Sequence, residues 1–361
     1  MKRIALFINS LQKGGSERVM VNLAEYFQKQ QYEVLLVTQY RRENEYALPN
    51  GIRRVYSEPG EEMLTGSRVK NFRIRFRTLR AIWKTYKPDV ILSFLGKNNL
   101  MAIATAAFLP VKVAVSVRGE PTMEYESRLM RFLAKNLFRF ADGVILQTQR
   151  AKEFFPKAVQ KKSVILKNPL NPAFVGQKRN TQRDNVIVAA GRLDENKNHA
   201  MLIHAFSRIA NEYPEMRLVI YGEGERKGQL EDLIREKELE NRAALPGSID
   251  NVAEMIGRAK IFALTSNTEG MPNAVIEAMV LGTPVIATDC PCGGPATLIE
   301  NGENGVLVPV GDAYALADAM RKILSDEEFA QKISENAVKL ADELAPQKVD
   351  REWETYLFET L

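Results

Sequence analysis

The chain has 361 residues, a length that suits two α/β domains better than one. Its composition, with 45% hydrophobic and 26% charged residues, excludes a disordered or fibrous protein. No apolar run approaches the ~20 residues of a membrane-spanning helix, and Cys290 and Cys292 are too few for a disulfide framework. We therefore expect a globular protein of a reducing cytoplasm.

Charge is distributed unevenly along the chain. Residues 1–168 contain 30 Lys and Arg against 14 Asp and Glu, whereas residues 169–361 contain 20 against 31. The net charges are therefore +16 and −11, and we expect only the first half to favour an anionic partner or surface.

The predicted elements alternate between short apolar strands and amphipathic helices. In the first half we predict a helix at 17–30 and strands at 4–8, 33–38, 89–94, 114–117 and 143–148. The pattern restarts with strands at 185–191, 217–222, 261–266, 284–289 and 305–309. Helices are predicted near 198–211, 224–238 and 273–281, and further helices over 312–343. Continuous apolar runs separated by helices indicate parallel sheets covered on both faces.

These elements predict an α/β protein with two doubly wound, Rossmann-like domains in series. The stretch LKNPLNPAF (166–174) is the expected boundary, because two prolines and two asparagines interrupt the periodic pattern. We expect a first domain over 1–168 and a second over 169–345. A last helix, predicted at 349–361, follows Pro346.

The first strand is followed by a glycine pair, Gly14 and Gly15, with Ser16 as the expected N-cap of the first helix. Backbone amides at a helix N-terminus suit a phosphate or a sugar, although a simple tight turn explains the glycines equally well. The G-x-G-x-x-G spacing is absent, so this turn is not the dinucleotide fingerprint.

Charged and glycine-rich turns follow two strands of the second half. In GRLDENKN (191–198), Arg192 and Lys197 could grip a diphosphate at the carboxyl end of a strand, where open α/β sheets bind ligands. A solvated charged loop is the alternative. In YGEGE (221–225), Gly222 suits either close approach of a ligand or an ordinary turn.

The stretch SNTEGMPNAVIEA (266–278) spans a strand end, a turn and a helix predicted to begin near Asn273. The helix end suits an anion, and Glu277 would lie about 6 Å along the helix axis. There its carboxylate can accept two ribose hydroxyls, while Glu269 can accept hydroxyls of a sugar. Acidic residues near a helix start are also a common stabilising device, so spacing alone leaves both interpretations open.

The same stretch resembles the E-x7-E motif of glycosyltransferase family 4, whose members are retaining enzymes of GT-B fold. The segments GGSERV, GRLDENKN, YGEGE, LPGSID (245–250), EAMVLGTPVIATD and NGENGVLVPVGD (301–312) occur in the family's order and spacing, so the resemblance covers the whole chain. It implies two Rossmann-like domains that face each other across a cleft, with the last helix crossing back to the first domain. It also implies sugar transfer from a nucleotide-sugar, with no metal ion and no other cofactor.

Carried over by position, the resemblance implies a role for each motif residue. Arg192 and Lys197 would clamp the donor diphosphate, Glu277 would accept the ribose, and Ser248 would lie near the nucleobase. The implied donor-binding set is Gly14, Gly15, Gly222, Ser248, Gly270, Met271, Pro272, Asn273 and Glu277. The implied catalytic set is Glu269, Arg192, Lys197 and Arg118.

One position departs from the family. Many members have a histidine where Arg118 stands in SVRGEP (116–121), and the two histidines here, His199 and His204, lie in the second half. In the retaining reaction the departing phosphate oxygen can take the acceptor proton, so no protein base is required. We expect Arg118 to stabilise the developing phosphate charge, or alternatively to bind the acceptor. The sequence has no D-x-D motif, in agreement with the expectation of no metal.

Two basic stretches lie in the first half. Residues 63–88 contain eight cations and no acid, with Phe72, Phe76, Leu79 and Trp83 at helical spacing among them. Such basic amphipathic helices suit an anionic membrane or a lipid diphosphate, whereas a solvated helix and a nucleic-acid surface are the alternatives. The donor-site motifs argue against nucleic acid. The expected acceptor or membrane contacts are Arg73, Arg77, Arg80, Lys84, Arg128, Arg131 and Lys135.

Together these features predict a monomeric cytoplasmic enzyme bound peripherally to the inner face of a membrane. It would transfer a hexose or N-acetylhexosamine to a polyprenyl-diphosphate-linked saccharide in bacterial surface glycan or oligosaccharide assembly. A UDP-sugar is the expected donor from family frequency, and a GDP-sugar or a soluble acceptor remain alternatives. A non-catalytic nucleotide-sugar binding protein is the alternative of another class. A sugar-nucleotide epimerase would need acid and base groups that the histidine-free first half does not offer.

Overall fold

A computed structural model describes residues 1–60, 67–177, 182–249 and 251–361 of the chain. Within them the chain divides into two compact domains. The first domain comprises Met1–Asn168 and Gln347–Leu361, and the second comprises Pro169–Pro346. In the part described, no helix is both long and apolar enough to cross a bilayer.

The first domain is built on a parallel sheet. Its strands, in chain order, are β1 (Arg3–Ile8), β2 (Glu33–Thr38), β3 (Arg53–Tyr56), β4 (Val90–Phe94), β5 (Lys112–Ser116), β6 (Gly143–Leu146) and β7 (Ser163–Ile165). Their order across the sheet is β3-β2-β1-β4-β5-β6-β7. Strand β1 lies between β2 and β4, so the order of the strands reverses there. Such a switch point opens a crevice at the carboxyl ends of the strands.

Helices cover both faces of this sheet. They are α1 (Gly15–Lys29), α2 (Arg68–Tyr86), α3 (Gly96–Ala106), α4 (Pro121–Glu124), α5 (Arg128–Leu137), α6 (Gln149–Glu153) and α7 (Lys157–Gln160). The predicted basic helix is thus confirmed over 68–86, while residues 63–66 of that stretch lie outside the described residues. Leu79 and Trp83 of α2 enter the core, together with Phe7 of β1 and Phe138 beyond α5.

The second domain repeats the architecture. Its strands are β8 (Asp184–Ala190), β9 (Arg217–Tyr221), β10 (Ala243–Gly247), β11 (Ala259–Leu264), β12 (Val285–Thr288) and β13 (Val306–Val308). The sheet order is β10-β9-β8-β11-β12-β13, all in parallel pairs, so the switch point lies beside β8. The helices are α8 (His199–Ile209), α9 (Lys227–Glu236), α10 (Val252–Arg258), α11 (Asn273–Val280), α12 (Ala313–Ser325), α13 (Glu327–Ala337) and α14 (Leu340–Glu343).

Three strands of the structure, β3, β7 and β10, were not predicted. Each lies at the edge of its sheet. Edge strands are covered on fewer sides, so they lack the continuous apolar run that marks a buried parallel strand. The sequences RRVY, SVI and AALPG have few fully buried residues, and the last contains a proline, which edge strands tolerate.

The last helix, α15 (Pro346–Thr355), continues as a wider helical turn over Tyr356–Thr360 and belongs to the first domain. The Glu354 carboxylate accepts hydrogen bonds from the hydroxyls of Tyr26, at 2.7 Å, and Tyr32, at 2.8 Å. The Trp353 indole is fully buried, and its N–H donates to the Lys167 carbonyl oxygen at 3.1 Å. The crossing back to the first domain is therefore held by packing and by hydrogen bonds.

Candidate active site

The loops that follow β8 and β11 lie side by side in the second domain. These two strands are neighbours in the sheet, and Ile187 pairs with Ile261 across them. Their loops, residues 191–198 and 265–272, therefore leave the same edge of the sheet at its switch point. This is the edge at which open α/β sheets bind ligands.

Side-chain amides bind the two loops together. Asn196 donates to the carbonyl oxygen of Thr268 at 2.9 Å and accepts from the Thr268 hydroxyl at 2.8 Å. Asn198 donates to the side-chain oxygen of Asn267 at 3.1 Å. Because each bond joins residues about 70 positions apart in sequence, the relative position of the two loops is fixed by direct contacts.

The charged residues predicted from sequence meet within this pair of loops. The Lys197 ammonium donates to a carboxylate oxygen of Glu269, which also accepts from the Ser266 hydroxyl at 2.6 Å. The side chains of Lys197 and Glu269 are only 17% and 14% exposed. Arg192, by contrast, is 74% exposed and contacts Asp194 at 3.1 Å. The edge thus presents one held cation, one exposed cation and one oriented carboxylate.

Helix α11 begins at Asn273, as the sequence predicts, directly after this charged cluster. Pro272 occupies the N-cap position and has no side chain that could accept a hydrogen bond there. Met271 and Pro272 are buried, and the Glu277 carboxyl group, one turn into the helix, is only 5% exposed. The partial positive charge of the helix start therefore faces the same edge as Lys197.

Glycines let the neighbouring strand ends approach one another closely. Gly222 has a φ of +146°, and a Cβ there would lie 1.8 Å from the Gly191 carbonyl oxygen. The Gly222 amide donates to the Gly247 carbonyl oxygen at 3.0 Å, and Gly247 has a φ of +87°. Ser248, predicted to lie near the nucleobase, is the exposed residue that follows. Asp250 of the same LPGSID motif lies outside the described residues.

A third loop, after β12, packs beneath the Glu269 turn. A Cβ on Gly294 would lie 1.3 Å from the Gly270 carbonyl oxygen, so only glycine fits. The Cys290 thiol is buried and donates to the Ser266 carbonyl oxygen at 3.2 Å. Burial raises the pKa of Cys290 to about 11, which keeps this thiol protonated and unreactive at neutral pH.

In the first domain, α1 begins at Gly15 with Gly14 in extended conformation at the N-cap. The prediction of Ser16 as N-cap is therefore wrong, because Ser16 already lies in the first helical turn. The helix start faces the carboxyl edge of the first sheet, beside its switch point. A Cβ at Gly14 would lie 2.4 Å from a carboxylate oxygen of Glu17, which is the end of a flexible side chain and can move aside.

Arg118 follows β5 and is only 7% exposed. Its guanidinium donates to the side-chain oxygen of Asn168 and lies over the rings of Phe94, at 4.6 Å, and Trp353, at 5.6 Å. Burial lowers the pKa of Arg118 to about 9, so the group keeps its charge at neutral pH. The structure thus holds Arg118 among first-domain residues, and its contact with substrate stays a prediction.

The basic residues of α2 and α5 differ in how they are used. Arg80 donates to the carbonyl oxygens of Thr105, at 2.6 Å, and Ala107, at 2.8 Å, at the end of α3. Arg131 likewise donates to the carbonyl oxygens of Tyr125 and Glu126, both at 3.0 Å. These two guanidiniums are engaged in holding the fold, which their spacing in the sequence does not reveal. The exposed cations of the predicted set are Arg73, Arg77, Lys84, Arg128 and Lys135.

Sequence reasoning missed the asparagines and the histidine that hold the loops. His199 is buried, and its Nε2 lies 3.2 Å from the Arg192 carbonyl oxygen. Burial lowers its pKa to about 4, so it stays neutral in the physiological range. The sequence does show that polar residues follow both β8 and β11. Their contacts could be predicted only if the adjacency of these two strands were already known. Across the described residues, no three His, Cys, Asp or Glu side chains could together hold a metal ion.

Comparison with known proteins gives the class and the family. The model of Glycosyltransferase Family 4 matches residues 13–174, and that of Glycosyl transferases group 1 matches residues 172–340. The structure of Anabaena HepE in complex with UDP-glucose superposes with a TM-score of 0.81 at 20% identity, over 100% of both chains. The protein is therefore a glycosyltransferase of GT-B fold. The two models together match most of the chain, which belongs to glycosyltransferase family 4.

Two relatives from Campylobacter jejuni match over nearly the whole chain. One is named GalNAc-alpha-(1->4)-GalNAc-alpha-(1->3)-diNAcBac-PP-undecaprenol alpha-1,4-N-acetyl-D-galactosaminyltransferase; it is 26% identical, over 98% of this chain and 97% of its own. The other is named N-acetylgalactosamine-N,N'-diacetylbacillosaminyl-diphospho-undecaprenol 4-alpha-N-acetylgalactosaminyltransferase; it is 27% identical, over 99% and 100%.

Proposed function

We propose that this protein is a retaining glycosyltransferase that moves a hexose or N-acetylhexosamine from a UDP-sugar to a saccharide linked to a membrane polyprenyl diphosphate. The observation that carries the proposal is the cluster of Lys197, Glu269 and Arg192 at the switch point of the second sheet. Such a cluster can bind a diphosphate and a sugar at adjacent positions. Two relatives named for undecaprenol-linked substrates and the UDP-glucose complex of HepE support the choice of substrates.

The donor diphosphate would bind between the two cations and the start of α11. Lys197 supplies a charge whose position is set by Glu269, while exposed Arg192 can close over the phosphates as the donor enters. Glu277 would accept the ribose hydroxyls, and Glu269 those of the sugar. Gly14 and Gly15 of the first domain would add backbone amides to the phosphates, and Gly222 and Ser248 would border the nucleoside.

The chemistry would proceed on one face of the sugar. The acceptor oxygen bonds to the anomeric carbon as the bond from that carbon to the phosphate oxygen breaks. The departing phosphate oxygen takes the acceptor proton, and UDP leaves. Lys197 and Arg192 stabilise the negative charge that develops on the diphosphate. Arg118 would add to this stabilisation or hold the acceptor. Since these cations neutralise the leaving group, we propose that transfer requires no metal ion, and that EDTA leaves the rate unchanged.

The acceptor would be met at the inner face of the cytoplasmic membrane. The exposed cations Arg73, Arg77 and Lys84 of α2 and Arg128 and Lys135 of α5 would attract anionic phospholipid headgroups and the diphosphate of the acceptor. The first domain would therefore bind the acceptor, and the second domain the donor. We propose that the enzyme acts as a peripheral monomer and does not bind nucleic acid.

The test is a screen of UDP- and GDP-sugars for released nucleotide, with and without lipid-linked acceptor. We expect turnover with a UDP-sugar, raised by the acceptor. Release from GDP-sugars alone would overturn the choice of donor. If no sugar nucleotide and acceptor gave turnover, the proposal of an enzyme would be overturned, and a non-catalytic nucleotide-sugar binding protein would remain.

Two variants test the assignment of the two carboxylates. Glu269→Gln should lower turnover about 100-fold, because the contact with the sugar is lost. The dissociation constant for UDP should change less than about threefold, because the glutamine oxygen can still accept the hydrogen bond from Lys197. Glu277→Gln should instead raise the dissociation constant for UDP about tenfold, because a hydrogen bond to ribose is weakened. Equal effects of both variants on both quantities would contradict the assignment.

A further inference from the structure

Helix α5 carries apolar side chains on both of its faces. Its inner face packs Met130, Leu133 and Ala134 into or against the core of the first domain. Its outer face exposes Leu129 and Phe132, which are 65% and 63% accessible. A surface helix ordinarily turns polar residues to water, so two large apolar side chains three positions apart on the outer face call for a second apolar partner.

We expect the start of α5 to lie near the carboxyl edge of the first sheet, because α5 belongs to the connection between the parallel strands β5 and β6. In a parallel sheet the connecting helices run antiparallel to the strands, so each begins at the edge where the strands end. Met123 of the preceding short helix α4 is 57% exposed and lies at the same edge. The Gly14–Gly15 turn after β1 belongs to this edge as well.

Cations and apolar side chains alternate along the sequence of α5. Arg128, Lys135 and Arg139 are exposed, and the sequence of α5, RLMRFLAKNL, contains no acidic residue. Lysine and arginine can lay their apolar stems on a bilayer while their charged ends reach the phosphates. A helix with this composition lies in the plane of a membrane interface, and its positive charge complements anionic phospholipids.

We propose that Met123, Leu129 and Phe132 insert into the boundary between headgroups and acyl chains of an anionic bilayer, flanked by Arg128 and Lys135. This rests on the proposed function in one respect, that the acceptor is a membrane lipid. The insertion adds a contact that salt does not weaken, beyond the attraction of the cations alone. It also brings the site-bearing edge of the first domain down to the lipid diphosphate.

The size of the patch favours a bilayer over a second copy of the chain. A stable protein interface buries about 800 Å² on each partner, which three side chains do not supply. Membrane association needs only a shallow apolar insertion when electrostatic attraction accompanies it.

The test is sedimentation of the 361-residue protein with vesicles of phosphatidylcholine and phosphatidylglycerol at 0.1 M and 0.5 M NaCl. The double variant Leu129→Ser/Phe132→Ser should lose at least about tenfold in its partition coefficient at 0.5 M NaCl, where screening has weakened the charges. The matched control is Phe140→Ser, because Phe140 is also 65% exposed but lies beyond the other end of α5. We expect the control to bind within about twofold of the wild type.

A third variant separates charge from insertion. Arg128→Gln/Lys135→Gln should weaken binding at 0.1 M NaCl more than at 0.5 M, which is the opposite of the apolar variant. The melting temperature of each variant checks that the fold is retained, since all the substituted side chains are exposed.

Unchanged vesicle binding by the apolar variant, or an equal loss in Phe140→Ser, would overturn the insertion. Light scattering would also overturn the insertion if the wild-type protein were a dimer and the apolar variant a monomer. A second copy of the chain would then occupy the patch. Vesicle binding is measured in the absence of turnover, so it tests the insertion alone. Release of nucleotide tests the proposed function.

Discussion

The carboxyl edges of the two sheets are built from the same kind of loops but equipped differently. In the second domain, asparagine and threonine side chains join loops 191–198 and 265–272, and the partly buried Glu269 carboxylate holds Lys197 in place. In the first domain, helices α2 and α5 expose mainly long cations and apolar side chains. The first arrangement suits a small polar ligand that must be oriented, whereas the second suits a broad, charged surface. Four substitutions would break or sharpen this contrast, and they follow in order of decreasing expected effect.

Trp353→Ala should destabilise the first domain by about 4 kcal/mol, because it removes a fully buried indole from the contact with Phe94 and Arg118. Hydrogen exchange read by mass spectrometry would resolve the domains. We expect protection to fall in β1 and β4, and to persist in β8 and β9. An equal loss of protection in both domains would show that α15 supports more than the first domain.

Lys197→Met should reduce turnover by a factor of about 10²–10³, since the cation paired with Glu269 is lost from the proposed diphosphate site. Lys260→Met is the matched control, because Lys260 is a partly buried lysine at the other end of β11. Steady-state kinetics with saturating acceptor would compare them. A loss below tenfold, or one matched by the control, would remove Lys197 from the catalytic set.

Asp350→Asn should stabilise the protein by about 2 kcal/mol at pH 8 and have little effect at pH 4. Burial and the nearby Glu25 raise the pKa of Asp350 to about 7, although Lys29 opposes this. The folded state therefore holds a proton that the unfolded chain releases near pH 4. The loss in the free energy of unfolding caused by Asp350 grows as the pH rises from about 4 to 7, and it reaches its full size above pH 7. Urea unfolding at several pH values would measure it.

The control for that measurement is Glu352→Gln, an exposed carboxyl group on the same helix. It should unfold in parallel with the wild type at every pH. If Asp350→Asn were no more stable than the wild type at pH 8, ionisation of Asp350 would not destabilise the folded protein. The raised pKa of Asp350 would then be contradicted.

Arg192→Gln should raise the KM for the donor about tenfold and change kcat less, because this exposed side chain is proposed to bind the donor diphosphate. Arg258→Gln serves as the control, since Arg258 pairs with Asp184 at the amino edge of the same sheet. An unchanged KM in Arg192→Gln would leave Lys197 as the sole phosphate-binding cation of these loops.

Much of the fold could be predicted from the sequence because central parallel strands are covered on both faces. The run IALFI is buried throughout and EVLLVT is buried from Val34 onward, and their apolar continuity is visible without a structure. The edge strands β3, β7 and β10 are only half covered, so their composition resembles that of loops. The start of α11 at Asn273 was also predictable, since a proline precedes it and a helical apolar pattern follows.

The sequence predicts which motifs form the candidate site, but it does not predict the contacts between their side chains. Lys197 and Glu269 are 72 residues apart, and their ion pair depends on the adjacency of β8 and β11, which no local pattern contains. The structural roles of Arg80 and Arg131 were not predicted, because a local pattern suggested a different role. Their spacing is that of a binding surface, but carbonyl groups at nearby helix ends engage them. Helical spacing alone cannot separate a cation exposed to solvent from one that caps a neighbouring helix.

The docking of α15 on the first domain sets an order for folding during synthesis. The first domain is interrupted by all of Pro169–Pro346, so the ribosome must make the second domain before the last helix can reach Tyr26 and Tyr32. Until then, the surface that receives Trp353 is open, and Arg118 lacks one of its two aromatic neighbours. We therefore expect the second domain to be the first part of the nascent chain to fold in full, although it is the later in sequence.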